Sequence, residues 1–164
     1  MRRTVVFVTL LALATPFAAA AAVRAQGDGT LSVRDLDGQI TVRIWSKGGV
    51  IGRCDRCNLF LDERVVSEDE LDPFVTGARG VDVDEDGAKE RFIGRDLRWR
   101  VMDTPFRMVI RRGVDVDLSI VGKGRIAIQG TAPGGTFVLN GESHDVIPGV
   151  SFTAQLHPVP PIGP

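Results

Sequence analysis

The chain has few of the residues from which catalytic and metal sites are usually built. Its 164 residues include no tyrosine, two histidines, two cysteines and two tryptophans. The histidines lack the paired spacing of a zinc site. Ser143, His144 and Asp145 are adjacent, so their side chains point apart and cannot form the hydrogen-bond chain of a catalytic triad. No Gly-x-Ser-x-Gly turn or phosphate-binding loop followed by a helix is apparent.

Helical periodicity is missing as well, and alternation of apolar and polar residues takes its place. Val109 to Gly130 alternates on both sides of Gly122-Lys123-Gly124, which predicts a β-hairpin. Asp37-Gly38 and Asn140-Gly141 predict two more hairpins, because such pairs tolerate positive φ. The sequence therefore predicts an all-β, single-domain antiparallel β-sandwich or small barrel of about nine or ten short strands.

Residues 1–25 are typical of a secretory signal peptide. Arg2 and Arg3 precede an apolar run of 19 residues from Val5 to Val23, and small residues before and at Ala25 fit a cleavage site. An uncleaved membrane anchor is the alternative, because a run of this length could just span a bilayer, but Pro16 and the alanine-rich end favour cleavage. We expect a secreted, cell-surface or periplasmic domain over residues 26–157 without a membrane span, followed by a proline-rich tail over 158–164.

The charge is segregated along the chain. Residues 62–90 hold eleven acidic and three basic residues, whereas residues 91–112 hold seven arginines and two aspartates. Arg98, Arg100, Arg107 and Arg111 alternate with apolar residues, so they share the outer side of predicted strands. One interpretation is a solvated face that pairs with the acidic segment, and this is the one we favour. The other is an anion-binding face for a polysaccharide or a phosphate-bearing wall polymer.

Two glycine-rich stretches carry a resemblance to known proteins. Gly48-Gly49-Val50-Ile51-Gly52-Arg53 and Gly113-Val114-Asp115-Val116-Asp117-Leu118-Ser119, followed by Val121-Gly122-Lys123-Gly124, are similar to a group of secreted bacterial all-β proteins without an assigned activity. The resemblance covers about Thr30 to Leu156. It implies export and a β fold, and it implies no catalytic residues. Cys54 and Cys57 look like an addition to that pattern.

The motif Cys54-Asp55-Arg56-Cys57 allows three interpretations. A redox site requires a helix N-terminus at the first cysteine, but Gly52 precedes it and a strand-like segment follows. A zinc site would need two further ligands, for which only His144 and His157 are present. A disulfide across a tight turn is the interpretation we favour, and it indicates an oxidising compartment.

Asp82, Asp84 and Asp86 precede Gly87 at the alternate positions of the first half of a calcium loop. The second half is missing, because Ile93 stands where the bidentate acid is expected. We therefore favour an acidic hairpin end over a weak calcium site. No other cofactor is predicted.

Asp115 and Asp117 lie two residues apart, at a spacing that could serve glycoside hydrolysis, although outward, solvated strand positions are the simpler interpretation.

The leading hypothesis is a secreted, non-enzymatic all-β module, structural or surface-binding in the cell envelope or medium. The alternatives are a small hydrolase of an envelope polysaccharide or other polymer, which would use Asp115, Asp117 or the arginines, and a calcium-stabilised extracellular domain. We expect an envelope or extracellular partner rather than nucleic acid, since removal of residues 1–25 takes away three arginines and no acid and leaves a formal charge of −4. The sequence leaves that partner's identity and the oligomeric state open.

Overall fold

The computed structural model describes residues 28–63, 74–83 and 89–157, and these residues contain strands and no helix. The predicted leader and the proline-rich tail lie outside them. No helix among the described residues is long and apolar enough to cross a membrane. The strands are β1 (Gly29–Glu63), β2 (Phe74–Val83), β3 (Lys89–Gly122), β4 (Gly124–Gly130), β5 (Thr136–Leu139), β6 (Glu142–Asp145) and β7 (Ser151–Leu156).

These strands form one antiparallel sheet of seven strands that does not close on itself. Its main path is β2-β3-β1-β4-β7, and β5 pairs with both β1 and β6. The all-β prediction is confirmed. Two strands are much longer than expected, because β1 has 35 residues and β3 has 34.

The two long strands pair with each other in more than one register. In its first half, β1 places Leu31 opposite Ile120 and Ile44 opposite Phe106. In its second half, β1 lies between two parts of β3, so Arg53 is opposite both Arg98 and Asp117. The segment of β3 from Phe106 to Val121 therefore has a different part of β1 on each side.

This pairing requires β1 to fold back on itself. Gly122 pairs with Gly29, yet a Cβ placed on Gly122 would lie 3.0 Å from the Cγ2 atom of Ile44. Gly29 and Ile44 are fifteen residues apart, which would separate them by about 50 Å in a straight strand. The two ends of this half of β1 consequently lie at the same end of the molecule.

Aspartates in the left-handed region mark the bends. Asp35 in β1 and Asp115 in β3 both have φ of 50°, a conformation that Asp tolerates better than most residues. The two bends also stabilise each other reciprocally. The Asp35 amide donates to Asp117 Oδ1 at 3.0 Å, and the Asp115 amide donates to Asp37 Oδ1 at 2.9 Å.

The apolar side chains that alternate along the strands form one buried core. In β3, Leu97, Trp99 and Val101 are buried, whereas Arg98 and Arg100 between them are exposed. The same core holds residues from β1, β4, β5 and β7, of which Ile40, Ile126, Phe137 and Leu156 are examples. The alternation predicted for these strands is therefore confirmed, and the arginines are on the outer side.

Three hairpin predictions have different outcomes. Asn140-Gly141 does connect the paired strands β5 and β6, with both residues at positive φ. The hairpin predicted over Val109 to Gly130 is wrong, because β4 pairs with β1 rather than with β3. The hairpin predicted at Asp37-Gly38 is also wrong, since the chain bends there within β1 and both flanking segments pair with β3. In both cases the local turn residues correctly predict a change of chain direction, but they do not determine which strand lies alongside.

Candidate functional site

Asp117, on the outer side of β3, accepts hydrogen bonds from two separate parts of β1. It is only 9% exposed. Arg53 reaches across from β1 and donates from Nε at 2.8 Å to Asp117 Oδ2, with its Nη2 atom 2.7 Å from the same oxygen. Arg34 Nη1 lies 3.8 Å from that oxygen, and the other oxygen accepts the Asp35 amide. The interpretation of Asp117 as a solvated outward residue is therefore wrong, because side chains distant in sequence cover it.

These contacts keep Asp117 ionised. Burial by itself would raise the pKa of Asp117, but the hydrogen bonds from the Asp35 amide and Arg53 and the positive charges of Arg53 and Arg34 outweigh it and lower that pKa. In return, the hydrogen bond and charge of Asp117, together with the charge of Asp115, raise the pKa of Arg53. Arg53 is thus a structural ion-pair partner, and its charge is largely neutralised.

A cavity of about 890 Å³ opens beside this ion pair. We call it the arginine groove. Its walls include the exposed side chains of Arg98 and Arg100, and among the described residues neither makes an ion pair. Asp117 is the only carboxylate among the described residues of the lining. The described residues that line the groove are Arg34, Ile51, Gly52, Arg53, Phe74, Arg98, Trp99, Arg100, Asp117, Leu118 and Ser119.

One wall of the groove is aromatic. Phe74 lies opposite Arg100 in the pairing of β2 with β3, and the Arg100 Cζ atom is 5.8 Å from the centre of the Phe74 ring. Phe74 is nevertheless 57% exposed. The guanidinium is therefore held beside an aromatic ring that is still accessible, in a geometry typical of a cation–π contact.

Trp99 lines the floor of the groove, and its indole is on the core side of the sheet. Gly52 is opposite Trp99 in the sheet, and a Cβ at Gly52 would overlap the Trp99 indole. Glycine therefore gives the indole room to lie against the backbone. Trp99 Nε1 is buried and has no hydrogen-bond partner among the described residues. Leaving such a group unpaired costs about 1–3 kcal/mol, so it needs an explanation.

The four arginines of the predicted anion-binding face do not lie together. Arg98 and Arg100 line the arginine groove, whereas Arg107 and Arg111 line a separate cavity of about 150 Å³ beside Phe60. Arg111 Cζ lies 5.1 Å from the centre of the Phe60 ring. The structure thus divides this set into two pairs, and only the first is next to the Asp117 ion pair.

Arg107 belongs to a row of like charges. Arg43 in β1 is opposite Arg107 on one side and opposite Arg125 of β4 on the other. All three side chains are exposed, and none makes an ion pair with a described residue. Like charges directly opposite each other destabilise a sheet.

The two cysteines form the disulfide that the sequence predicts. Their sulfur atoms are 2.04 Å apart, and both residues are 2% exposed. The bond links positions 54 and 57 within the second half of β1, where the chain bends so that the two Cα atoms are 6.2 Å apart. A metal site or a free dithiol at these positions is not consistent with this pairing.

The predicted calcium ligands are only partly described. Asp82 belongs to β2 and is opposite Arg91, and Asp84 and Asp86 lie outside the described residues. The calcium hypothesis therefore stays a prediction. A different carboxylate cluster, formed by Asp35, Asp115 and Asp117, has ligand atoms within 4.8 Å of one another. Arg53 lies against this cluster, 2.7 Å from Asp117 and 3.6 Å from Asp115, and supplies the positive charge that a metal ion would otherwise bring.

Comparison with known proteins adds no identification. No protein-family model, curated protein or solved structure matches this chain.

Sequence reasoning missed four contributors to the groove: Arg34, Arg53, Gly52 and Phe74. The signals were weak, because Arg34 and Arg53 are isolated arginines far from the arginine-rich segment. Two of the Asp-x-Asp patterns, at Asp35 to Asp37 and Asp115 to Asp117, are the sequence signal for two bends of similar chemistry that meet in the structure.

Proposed function

We propose that the protein is an exported, non-enzymatic all-β module that binds an acidic polysaccharide of the cell envelope or medium in the arginine groove. The observation that carries this proposal is the position of Arg98 and Arg100 on the wall of a cavity in which Asp117, the only carboxylate among the described lining residues, is already paired.

The charge balance of the groove favours an anionic ligand. Arg53 and Asp117 largely neutralise each other, so Arg98 and Arg100 supply the uncompensated charge among the described lining residues. The planar guanidinium has a fork of donors that matches a carboxylate in a bidentate manner. Two such groups, two residues apart on the same side of β3, would bind acidic groups along an extended ligand.

The apolar part of the groove favours a ligand with a ring. Phe74 and Ile51 are both exposed in its lining, and an accessible aromatic ring offers a flat apolar surface on which the C–H face of a sugar can pack. A sugar acid combines such a ring with a carboxylate.

Binding is better supported than hydrolysis. A glycosidase requires one protonated and one ionised carboxyl group flanking the bond. Among the described residues, Asp117 is the only carboxylate that lines the groove. Its pKa is lowered, which is the opposite of what a general acid requires. Asp115 lies outside that lining and contacts Arg53.

Export and a sandwich architecture are also part of this proposal. A formed disulfide is compatible with an extracellular or periplasmic location, since such bonds persist in oxidising compartments. The folding back of β1 supports a sandwich, because the two arms of its first half both pack against one core.

Calorimetric titration with polygalacturonate, an acidic polysaccharide, tests the function. The Arg98→Gln/Arg100→Gln double variant should bind at least about tenfold more weakly than the wild type, because two charge-assisted contacts are lost. The matched control is Arg107→Gln/Arg111→Gln, which removes the same charge from the same strand and should change affinity by less than about twofold. Equal losses in the two double variants, or equal binding of neutral dextran, would overturn the proposal.

A further inference from the structure

We infer that a second cavity binds ligands with two or more adjacent phosphoryl groups. It is separate from the arginine groove and shares no lining residue with it. The cavity has a volume of about 690 Å³, and Arg56, Arg79, Arg95 and Arg112 line it. We call it the four-arginine cavity.

No acidic residue is present among the described lining residues of this cavity. The rest of its lining is Cys57, Asn58, Ile93, Gly94, Gly113, Val114 and Thr131. None of the four arginines makes an ion pair with a described residue. The described part of the protein therefore presents four positive charges around one concavity without a compensating carboxylate. Such clusters raise the local concentration of anions.

The arginines converge because of the sheet register. Arg56 of β1 is directly opposite Arg95 of β3, Arg79 comes from β2, and Arg112 comes from the other part of β3. Like charges in opposite positions destabilise a sheet by roughly 0.2–1 kcal/mol for each pair. A sequence that served stability alone would gain by replacing one of them. A bound polyanion removes this repulsion.

Two features hold the arginines in place. The Cys54–Cys57 disulfide fixes the bend of β1 on which Arg56 lies. Arg112 has φ of 54°, a left-handed conformation that is unfavourable for a residue with a long side chain. Strained backbone of this kind concentrates at binding sites, where the surrounding structure imposes it.

The chemistry of the cavity distinguishes phosphates from sugar acids. A phosphate monoester carries roughly −1.5 to −2 charge at pH 7 and a second phosphoryl group adds further charge, so a diphosphate offsets more of the four positive charges than one carboxylate can. Each group also presents three acceptor oxygens to the guanidinium forks. The described lining contains no aromatic ring, in contrast to the arginine groove with Phe74. A compact and highly charged ligand therefore fits better than a sugar.

Calorimetry with pyrophosphate and inorganic phosphate tests the inference on the full chain. Pyrophosphate should bind at least about tenfold more tightly than inorganic phosphate, because it engages more of the four arginines. The Arg56→Gln/Arg95→Gln variant should lose at least about tenfold in pyrophosphate affinity. Arg98→Gln/Arg100→Gln, which alters only the arginine groove, should retain it. This control separates the inference from the proposed function, since each can fail while the other holds.

Two further arms complete the test. Arg79→Gln on β2 provides an independent variant should the double variant not fold, and it should weaken pyrophosphate binding about threefold or more. Long-chain polyphosphate distinguishes a polymeric source from a free diphosphate: competition with pyrophosphate assigns the cavity to polymers as well, and its absence assigns the cavity to small diphosphates. Equal affinity for phosphate and pyrophosphate, or equal losses in the variants of both cavities, would overturn the inference.

Discussion

Arg53 and Asp117 lie directly opposite each other in the pairing of β1 with β3, and their side chains form an ion pair 2.7 Å long. Arg98 is on the other side of Arg53 in the same sheet. The acid therefore neutralises the middle arginine and leaves Arg98 on the groove wall without a described partner. Asp117 thus has two roles, because it accepts the amide of Asp35 at the bend of β1 and also neutralises Arg53 beside the groove.

Replacement of Asp117 should destabilise the fold. Asp117→Asn keeps the shape but removes the charge that Arg53 and Arg34 face, and we expect a loss of about 1–2 kcal/mol in the free energy of unfolding. Urea denaturation monitored by circular dichroism measures it. Asp145→Asn, at an exposed position of β6, is the control and should change stability by less than about 0.5 kcal/mol. A loss of the same size in both variants would contradict the role given to Asp117.

The lowered pKa of Asp117 predicts a dependence of stability on pH. In the unfolded chain the Asp117 carboxyl group titrates at the ordinary pKa of about 4, whereas in the folded protein its pKa is lower, so it stays ionised to a lower pH. The contribution of Asp117 is therefore fully present above about pH 4 and is lost as the pH falls through the folded pKa. Wild-type protein should lose more stability between pH 5 and pH 2.5 than Asp117→Asn. Parallel stability curves for the two proteins would show that Asp117 is not the group responsible.

Gly52 should tolerate no side chain. A Cβ at this position would overlap the Trp99 indole, so Gly52→Ala should lower stability by about 1–3 kcal/mol, the usual cost of overpacking a core. Gly80→Ala is the matched control, because Gly80 is also in a strand and a Cβ there has nothing within 4 Å. Melting temperatures of the two variants provide the comparison. If both variants melt alike, the packing of Trp99 against Gly52 is not tight.

The row of Arg43, Arg107 and Arg125 should weaken the sheet at low salt. Arg43→Gln removes the middle charge, so it should raise stability by roughly 0.2–1 kcal/mol at low ionic strength. The gain should shrink toward zero in about 1 M salt, because the Debye length there is only about 3 Å. Lys47→Gln, at an exposed lysine, controls for a general change in net charge. A gain that is independent of salt would argue against repulsion as its cause.

The side of each strand was predictable, and the neighbours were not. The alternation of Leu97, Trp99 and Val101 with Arg98 and Arg100 predicts which side chains face the core, because successive strand residues point to opposite sides. It says nothing about which strand lies alongside. Gly122-Lys123-Gly124 therefore predicted a hairpin, although β1 lies between the two segments that this turn connects.

The burial of Asp117 was not predictable for the same reason, because the alternation does not show which strand lies alongside. Its position in the alternation correctly indicates the outer side of β3, but Arg53, which covers it, is 64 residues earlier in the chain. The division of the arginines into two pairs likewise follows from the bends of β3. By contrast, the disulfide was predictable because its two residues are three positions apart and their pairing requires only a local turn.

The most direct test of the arginine groove uses the two tryptophans of the chain. Trp99 forms the floor of the groove, whereas Trp45 is 54% exposed and lies outside the lining. In a ¹⁵N-labelled protein, each tryptophan gives one indole N–H signal. Titration with oligogalacturonate should shift the Trp99 signal and leave the Trp45 signal unchanged, and Arg98→Gln/Arg100→Gln should abolish that shift. A shift of Trp45 alone, or of neither signal at saturating ligand, would contradict the account.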